Sequence, residues 1–390
     1  MTGSADSDRD VAALRSRLDR ARAAAARADV TALLVAPGSD LRYLLGAVGR
    51  SFERLTCLVL PAADVSAVPT LVVPKLERPG YADVPTDALG VEVATWVDGE
   101  DPFALAHGVL RGGGGPARIA VSDMMPALHV LGLRDAAPTG SPTGLSTVDQ
   151  VLAGPILREL RMRKDAAEVA ALRRAGEAID RVHARMAEWL RPGRTEAEVG
   201  ADIAAAIVAE GHALAEFVIV GSGPNGASPH HELSDRVIEA GDVVVIDIGG
   251  PTPEGYNSDS TRTYVLGEPA AGDVAETYEV LRRAQQASVA AVRPGVTADA
   301  VDVAARQVIV DAGFGDYFIH RTGHGIGLDV HEEPYIVGGN ALPLEPGMAF
   351  SVEPGIYLPG RWGARIEDIV VVTDDGVSRL NNRPHELVSL

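Results

Sequence analysis

Two histidines lie seven residues apart in the glycine-rich stretch 322–334 of this chain. His324 has three glycines close to it, and His331 is followed by two glutamates. Glycine lets the backbone approach a ligand or a neighbouring strand closely. A histidine in such a setting is rarely only a packing residue, so this stretch is the first candidate for a chemical site.

Two aspartates lie upstream at a spacing that suits a hairpin. Asp247 ends the apolar run 243–246, and Asp259 follows twelve residues later. Such a separation fits a strand, a turn and a returning strand, with both carboxylates meeting at one end. An isolated acid on a buried strand costs on the order of several kcal/mol unless it is paired or binds a metal. For a single acid of this kind, a salt bridge is the simpler expectation.

Two glutamates extend the acidic set. Glu353 follows the apolar segment 350–352, and Glu367 precedes the apolar segment 369–372. Four buried carboxylates cannot all ionise without a counter-charge. The basic residues available from the neighbouring motifs are Arg262, Arg365, His230, His324 and His331.

Two divalent metal ions would neutralise the four acids better than these bases. Carboxylates with one imidazole favour manganese first, then cobalt, iron or zinc. Two ions roughly 3.5–4 Å apart can share a water as hydroxide near neutral pH, and that hydroxide can attack a carbonyl. The residues therefore predict a dinuclear metal site for hydrolysis.

An internal repeat relates the two parts of this site. The segment 191–195 (RPGRT) recurs at 293–297 (RPGVT), and the offset drifts from 102 to 106 further along the chain. Each copy is predicted to run helix, turn, helix and then strands, which is a duplicated α+β unit rather than a solenoid. The alignment pairs Asp247 with Glu353, Asp259 with Glu367, and His230 with His331.

The N-terminal part has a different organisation, in which short apolar strands alternate with helical segments. Such alternation is typical of an α/β domain. The Gly/Ser/Thr/Pro-rich segment 140–147 reads as the connection, so we expect domains at 1–150 and 151–390. The glycine-rich segment 111–116 lacks the Lys-Ser/Thr pair of a phosphate loop and is expected to be an ordinary loop.

Composition and charge narrow the class of protein. The net charge of −19 repels phosphate backbones, so no nucleic-acid partner is expected. No signal peptide is expected from the polar residues 1–10, and the longest apolar runs have strand length. We therefore expect no membrane association, and we expect the protein to lie in the cytoplasm. The only cysteine, Cys57, is predicted to be a buried small hydrophobe.

The motifs closely resemble those of the "pita-bread" metallopeptidases, and among these most of all the Xaa-Pro aminopeptidases and prolidases. The resemblance is strong over about residues 160–390, and weaker for a creatinase-type N-terminal domain. It implies an α/β N-terminal domain followed by an α+β pita-bread catalytic domain with duplicated half-repeats and pseudo-two-fold symmetry. The motifs that carry it are 245–249, 256–263, 323–332, 350–355 and 365–368.

The resemblance also assigns roles. Glu353 would move the proton of the metal-bridging hydroxide, and His331 would contact the scissile carbonyl. His230 would contact substrate near the leaving nitrogen, His320 would line the proline pocket, and Arg365 would brace the site. Two divalent ions, Mn²⁺ first, and a homodimer are implied. The implied metal ligands are Asp247, Asp259, His324, Glu353 and Glu367.

The expected function is cleavage of the Xaa-Pro bond at the N-terminus of peptides or in dipeptides. One alternative is a metal-dependent hydrolase of another small amide, and a second is a non-catalytic binding module with the same fold. The turn 250–255 between the two aspartates is about one residue longer than is common in the family. Surface or helix-cap positions are expected for four other histidines: His107, His129, His183 and His212. His385, near the C-terminus, is expected to be a packing or exposed residue rather than a catalytic one.

Overall fold

The computed structural model describes residues 3–50, 52–110, 118–136 and 148–390. The chain divides into two compact units, Met1–Arg161 and Met162–Leu390. The glycine-rich segment 111–116 and the predicted connection 140–147 lie outside the described residues. The predicted domain boundary after residue 150 stays a prediction.

The first unit is built on a six-stranded sheet with the strand order β4-β3-β2-β1-β5-β6. Its strands are β1 (Ala32–Val35), β2 (Cys57–Pro61), β3 (Thr70–Pro74), β4 (Glu92–Trp96), β5 (Arg118–Val121) and β6 (Asp149–Leu152). The helices are α1 (Gly3–Arg27), α2 (Ser39–Leu45), α3 (Thr86–Leu89), α4 (Pro102–Val109), α5 (Ala127–Asp135) and α6 (Gly154–Met162). A 3-10 turn spans Arg78–Tyr81. The predicted α/β alternation is confirmed.

The apolar strands of this unit form its core. Every residue of β1 is buried, because β2 pairs with it on one side and β5 on the other. Cys57 is fully buried in β2, as predicted, and burial raises the pKa of its thiol to about 12.

The second unit repeats one order of elements. Its first half contains α7 (Ala166–Ala184), α8 (Glu196–Ala209), β7 (Phe217–Ser222), β8 (Val243–Pro251) and β9 (Asn257–Val265). The second half begins with α9 (Val274–Ala291) and α10 (Ala298–Asp311). Its strands are β10 (Gly323–Gly325), β11 (Glu332–Ile336), β12 (Ala349–Val352), β13 (Gly355–Leu358), β14 (Trp362–Arg365), β15 (Asp368–Val372), β16 (Val377–Arg379) and β17 (Val388–Ser389). The 3-10 turns are Met186–Glu188, Gly223–Ala227 and Gly315–Tyr317.

These strands form three sheets. The four-stranded sheet has the order β17-β9-β8-β7, and the five-stranded sheet has the order β11-β10-β12-β15-β16. Strands β13 and β14 pair as a separate hairpin. One hydrophobic core joins α7 and α8 to β8 and β9, and a second joins α9 and α10 to β13 and β14.

The predicted repeat is visible at the starts of α8 and α10, which are each 14 residues long. Thr195 caps α8 by accepting a hydrogen bond from the amide three residues on at 3.1 Å, and Thr297 caps α10 in the same way at 3.2 Å. In the turn before each cap, Gly193 and Gly295 have φ values of 90° and 83°. Glycine is the residue that adopts this conformation without strain, so the RPGxT motif specifies both the turn and the helix start.

The expectation of surface or cap positions is wrong for four histidines, which are all buried. His107 Nε2 lies 2.7 Å from the Leu133 carbonyl oxygen, and His129 Nε2 lies 2.7 Å from that of Phe52. His183 contacts the Tyr264 hydroxyl and the Ser260 carbonyl, and His212 contacts the Ser258 hydroxyl. Each is a hydrogen-bonded core residue, because backbone carbonyls and hydroxyls from distant segments reach its ring nitrogens.

Candidate metal centre and its cavity

Asp247 and Asp259 meet on the β8–β9 hairpin, as predicted. The antiparallel register places Asp259 opposite Gly249 and Asp247 opposite Thr261. The two acids are therefore offset by two residues and share one face of the sheet, because side chains alternate along a strand. Both aspartates are buried. Together with Glu367 they bring ligand atoms within 4.8 Å of one another.

The two glutamates come from the paired strands β12 and β15. Val352, the last residue of β12, is opposite Asp368, the first residue of β15. Glu353 directly follows β12 and Glu367 directly precedes β15, so the two glutamates lie at the same end of this strand pair. Ligand atoms of Glu353, Glu367 and His324 lie within 4.8 Å of one another. Since Glu367 belongs to both groups of three, the structure joins all five predicted ligands into one cluster.

His324 reaches this cluster because β10 is squeezed between two strands. A Cβ atom on Gly323 would overlap the Ser351 carbonyl oxygen, and one on Gly325 would overlap the Glu333 carbonyl oxygen. Only glycine fits at these two positions. The glycines around His324 are therefore required by strand packing, which lets its imidazole enter the site.

The hydrogen bonds of His324 determine which nitrogen faces the acids. Its Nδ1 lies 3.1 Å from the Gly325 carbonyl oxygen, which can only accept, so Nδ1 carries a proton. The other ring nitrogen, Nε2, faces Glu353 Oε1 at 3.2 Å and Asp259 Oδ2 at 3.6 Å and is the nitrogen available to a metal ion. A backbone carbonyl that orients a histidine in this way is typical of metal-binding imidazoles.

The charge of the cluster also fits divalent cations. Asp247 Oδ1 and Glu367 Oε1 are buried and have no hydrogen-bond partner among the described residues. Burial, and then repulsion from the neighbouring carboxylates, raise the pKa values of Asp259 and Glu367 well above their ordinary range. Buried acids with free oxygens and mutual repulsion are stabilised by bound cations. The residues present therefore fit the two ions that the sequence predicts.

Glu353 behaves differently from the other acids. Burial opposes its ionisation, but the hydrogen bond with His324 and the positive charge of Arg365 lower its pKa to about 2. Ser351 Oγ also donates to Glu353 Oε1 at 2.9 Å. Its carboxylate is thus ionised near neutral pH and able to accept a proton.

Arg365 braces the site through four contacts. Its Nη2 donates to Asp247 Oδ2 at 2.5 Å, and its Nε donates to Thr261 Oγ1 at 3.1 Å. Its Nη1 donates to the Tyr357 hydroxyl at 2.6 Å, and Nη2 also lies 3.4 Å from the Pro229 carbonyl oxygen. The bracing role that the resemblance implies is consistent with this geometry.

Sequence reasoning missed Tyr357 and Thr261. The Tyr357 hydroxyl lies between Arg365 Nη1 and His320 Nε2, and Thr261 Oγ1 donates to Glu367 Oε2 at 2.7 Å. Thr261 lies two residues after Asp259 and so on the same strand face, which is a signal that could have identified it. Tyr357 gave no such signal, because its partners come from other elements.

His320 has no ring nitrogen to spare. Its Nδ1 lies 2.7 Å from the Arg321 carbonyl oxygen, and its Nε2 lies 2.8 Å from the Tyr357 hydroxyl. The carbonyl requires a proton on Nδ1, so neutral Nε2 accepts from Tyr357. The ring of Phe318 contacts His320 edge-on at 5.2 Å between centroids. His320 therefore presents ring surface, rather than a hydrogen bond, to the cavity.

His331 and His230 lie at the rim of the cluster, and both side chains are exposed. The His331 ring stands nearly perpendicular to that of His324 at 4.1 Å between centroids. Burial, and then the charges of His324 and Arg321, lower the pKa of His331 to about 4, which keeps it neutral near pH 7. His331 also forms a group of possible ligands with Asp259 and His324, so the geometry alone permits either a metal or a substrate contact.

Arg262 and His385 belong to a neighbouring ionic cluster around buried Asp368. Arg262 Nη2 pairs with Asp368 Oδ1 at 2.7 Å, and His385 Nε2 with Asp368 Oδ2 at 2.7 Å. Arg379 pairs with Asp368 too. Arg262 Nη1 donates to the backbone carbonyl oxygen of Glu367 at 2.6 Å and does not contact the Glu367 carboxylate. The Arg262 guanidinium is therefore not a direct counter-charge for the predicted ligands. The expectation that His385 has a packing role is consistent with these contacts.

A single cavity of about 980 Å³ contains all nine predicted site residues in its lining. The metal-ligand cluster and Arg365 form one part of the lining. Strand β7 contributes the partly buried side chains of Phe217, Val218 and Ile219, and Leu233 adds an apolar surface. The cavity therefore combines a polar reaction centre with an apolar surface large enough for a short peptide.

The family comparison agrees with this geometry. Residues 170–374 match metallopeptidase family M24, and residues 17–163 match the creatinase/prolidase N-terminal domain. The chain belongs to metallopeptidase family M24. Members of this family use divalent metals, so this enzyme is a metallopeptidase whose acidic and histidine residues can hold a dinuclear site.

Relatives of this M24 enzyme share nearly its whole length. A probable dipeptidase PepE of Mycobacterium tuberculosis is 59% identical over 95% of both chains. An Xaa-Pro dipeptidase of Lactobacillus delbrueckii subsp. lactis is 37% identical over 90% of this chain and 93% of its own. The crystal structure of dipeptidase PepE from Mycobacterium ulcerans is 60% identical, with a TM-score of 0.90 over 97% of this chain and 98% of that one. The predicted pita-bread catalytic domain and creatinase-type N-terminal domain are thus confirmed.

Within the described residues of this M24 enzyme, no helix is both long and apolar enough to cross a bilayer.

Proposed function

We propose that this M24 metallopeptidase hydrolyses the Xaa-Pro peptide bond, with Xaa-Pro dipeptides as its preferred substrates. Relatives named dipeptidase and Xaa-Pro dipeptidase support this choice. Aminopeptidase action on longer peptides is the closest alternative, and hydrolysis of another small amide is a further one.

One observation carries the proposal. Four carboxylates and the Nε2 of His324 converge in a cavity, and two of the carboxylate oxygens have no hydrogen-bond partner within the described part of the chain. Such an arrangement is unfavourable in the absence of cations and suits a pair of divalent ions.

When bound, two divalent ions would lower the pKa of a shared water and polarise the substrate carbonyl. Asp247, Asp259, His324, Glu353 and Glu367 would hold them. Glu353, ionised in its contact with Ser351, is placed to take a proton at its carboxylate and return it to the leaving nitrogen. Neutral His331 would donate a hydrogen bond to the scissile carbonyl oxygen, which gains negative charge in the transition state. His230 would contact the substrate near the leaving nitrogen.

In this proposal the proline ring packs against His320. Because both nitrogens of His320 are engaged, its ring can offer only van der Waals contact. Phe318 supports that ring from its edge. A pyrrolidine ring has no polar atom beyond its nitrogen, so an aromatic surface is a suitable partner for it.

Finer properties follow from the same ligand set and from the family. The oxygen-rich ligands favour manganese, with cobalt, zinc or iron as substitutes. We propose Mn²⁺ as the native ion, a homodimer as the assembly and the cytoplasm as the location. Metal analysis of the enzyme purified without added metal identifies the native ion. Light scattering measures the oligomeric state.

The decisive experiment compares the turnover of different peptides by one enzyme preparation of known metal content. Protein stripped with a chelator and reloaded with Mn²⁺ is assayed on Xaa-Pro dipeptides, Xaa-Pro-Yaa tripeptides and a Met-initiated peptide. We expect turnover of the dipeptides to exceed that of the tripeptides, and no turnover of the Met peptide. Faster cleavage of tripeptides would assign an aminopeptidase. Absence of turnover on every peptide with every metal would refute the proposal.

A further inference from the structure

The carboxylate of Glu196 is buried outside the metal cluster and is hydrogen-bonded on both oxygens. Glu196 is the first residue of α8, and its side chain is fully buried. Its Oε1 accepts from the Ser222 amide at 2.8 Å and the Ser222 hydroxyl at 2.6 Å. Its Oε2 lies 2.7 Å from His231 Nε2 and accepts from Ser234 Oγ at 2.5 Å. The Asn225 amide nitrogen lies 3.1 Å from both oxygens.

These donors belong to three consecutive pieces of chain. Ser222 ends β7, Asn225 lies in a 3-10 turn, and His231 and Ser234 lie in the segment that follows. Although burial opposes ionisation, the hydrogen bonds from Ser222 and Ser234 lower the pKa of Glu196. An ionised carboxylate accepts from all of these donors at once, whereas a neutral amide cannot. One buried charge therefore organises the whole segment.

This segment forms one wall of the substrate cavity. All five residues from Pro229 to Leu233 line the cavity. The wall is also fixed at its start, because Arg365 Nη2 lies 3.4 Å from the Pro229 carbonyl oxygen. Since a carboxylate can only accept, His231 Nε2 carries a proton. Glu196 thus holds the ring of a residue that lines the cavity.

The second half of the repeat contains a similar arrangement, in which a buried helix carboxylate accepts two hydrogen bonds from one residue of a neighbouring segment. Asp302 on α10 is fully buried, and its Oδ1 accepts from the Thr322 amide at 3.1 Å and the Thr322 hydroxyl at 2.7 Å. Ser222 likewise donates to Glu196 through its backbone amide and its hydroxyl. Thr322, however, lies only two residues before the predicted ligand His324. The wall held by Glu196 contains His230, which is predicted to contact the substrate, but none of the predicted metal ligands. Glu196 should therefore act on substrate binding, and Asp302 on metal binding.

We infer that Glu196 is a positioning residue that holds the wall 229–233 where the peptide substrate binds, without acting on the metal ligands. This inference rests on the peptidase function proposed above. A displaced wall weakens contacts that are present in both the ground state and the transition state. Such a loss raises KM more than it lowers kcat.

The test uses Glu196→Gln with Glu198→Gln as its matched control. Glu198 lies on the same helical turn, is exposed, and accepts from the Thr195 amide at 2.9 Å. With Mn²⁺-loaded enzyme and an Xaa-Pro dipeptide, we expect Glu196→Gln to raise KM roughly tenfold and to change kcat by less than about threefold. Metal content should equal that of the wild type, and Glu198→Gln should match the wild type throughout.

Hydrogen exchange supplies a readout that does not depend on turnover. Amides of residues 222–234 should exchange faster in Glu196→Gln than in Glu198→Gln, with no change in 243–265. Unchanged exchange, unchanged KM or lost metal would each overturn the inference. If the wild type cleaved no Xaa-Pro peptide, the proposed function would fail while the exchange result still tested the positioning.

A milder variant covers the case in which Glu196→Gln does not fold. Ser234→Ala removes one donor to Glu196 and leaves the buried charge with its other partners. We expect a rise in KM of roughly threefold with kcat retained. An unchanged KM in this variant would also overturn the inference.

Discussion

Arg365 Nη2 lies 2.5 Å from Asp247 Oδ2, while Oδ1 of the same carboxylate is buried without a hydrogen-bond partner among the described residues. Asp247 is therefore held by one oxygen and offers the other to the cavity. Arg365 is itself held by Tyr357 and Thr261. The predicted metal ligand is thus oriented by residues that are not predicted to bind metal.

Replacing Arg365 by lysine should disrupt this orientation. Lysine keeps the positive charge but cannot reach Asp247, Tyr357 and Thr261 together, because it lacks the planar fork of donors. We expect kcat/KM on an Xaa-Pro dipeptide to fall roughly 100-fold, and the free energy of unfolding to fall by about 1–3 kcal/mol. Steady-state kinetics on Mn²⁺-loaded enzyme and denaturant unfolding measure the two effects.

Arg361→Lys is the matched control for that variant. Arg361 pairs with Asp273 at 2.9 Å, with side chains 51% and 40% exposed. An exposed pair contributes about 0–1 kcal/mol, so kinetics should not change. Equal losses in both variants would show that Arg365 has no special role.

Glu353→Gln should abolish turnover and leave the fold intact. The amide cannot take up a proton as the carboxylate can, and general-base catalysis contributes about 10²–10⁴-fold to rate. Kinetics, circular dichroism and metal analysis are made on the same preparation. The control is Glu345→Gln, because Glu345 is a half-exposed partner of Arg163 at 2.7 Å. Activity retained in Glu353→Gln would show that another group moves the proton.

The metal-free enzyme should become less stable as pH rises. Burial, and then repulsion between carboxylates, raise the folded-state pKa values of Asp259 and Glu367 above their ordinary values of 3.8 and 4.5. The folded state then keeps protons that the unfolded state releases, so the free energy of unfolding falls as pH rises above about 4. Thermal unfolding of chelator-treated protein between pH 7 and pH 9, where histidines with lowered pKa values such as His331 are largely neutral in both states, should show a falling Tm.

Glu367→Gln isolates this contribution. The variant removes one of the two raised pKa values and relieves repulsion on Asp259, so its metal-free Tm should depend less on pH. Saturating Mn²⁺ should raise the Tm of the wild type, since a ligand that binds the folded state stabilises it. Parallel pH profiles of the wild type and variant would contradict the assigned pKa shift.

Asp302→Asn should impair metal binding, in contrast to Glu196→Gln. Asp302 holds Thr322, whose carbonyl oxygen accepts from the Glu353 amide at 2.8 Å. It also pairs with Arg306, whose guanidinium donates to the His320 carbonyl at 2.8 Å. Because the Arg306 side chain is 33% exposed, we expect a stability loss of only about 1–3 kcal/mol.

Titration of stripped protein with Mn²⁺ measures the effect of Asp302→Asn. We expect the dissociation constant to rise about tenfold or more, which is typical when a group that orients metal ligands is lost. Asp311→Asn, an exposed residue near the end of the same helix, should bind Mn²⁺ like the wild type. Unchanged affinity in Asp302→Asn would mean that the His324 segment keeps its position without this anchor.

Much of the fold and of the candidate site follows from local sequence. Asp247, Asp259, Glu353 and Glu367 stand beside apolar strand residues, and the glycines around His324 are required by close strand packing. The RPGxT repeat specifies a turn and a helix start in each half. These features are readable because each depends on neighbours within a few residues.

The partners of these residues were decided by tertiary structure. Arg365 and Asp247 are 118 residues apart, and Thr261 and Glu367 are 106 apart. Arg262 was one of the bases available to the predicted ligands, but it pairs with Asp368 instead. His320 was expected to line the proline pocket, and only the structure shows that both of its ring nitrogens are engaged.

The sequence by itself determined which residue types could bind metal and on which strands they lie, because strand alternation and apolar runs are local properties. Only the tertiary structure decided which oxygen remains free on Asp247, which nitrogen of His324 faces the acids, and that Glu196 holds a cavity wall. Hydrogen bonds act over about 3 Å between segments far apart in the chain. Their partners are therefore set by sheet register and packing, which spacing along the sequence does not reveal.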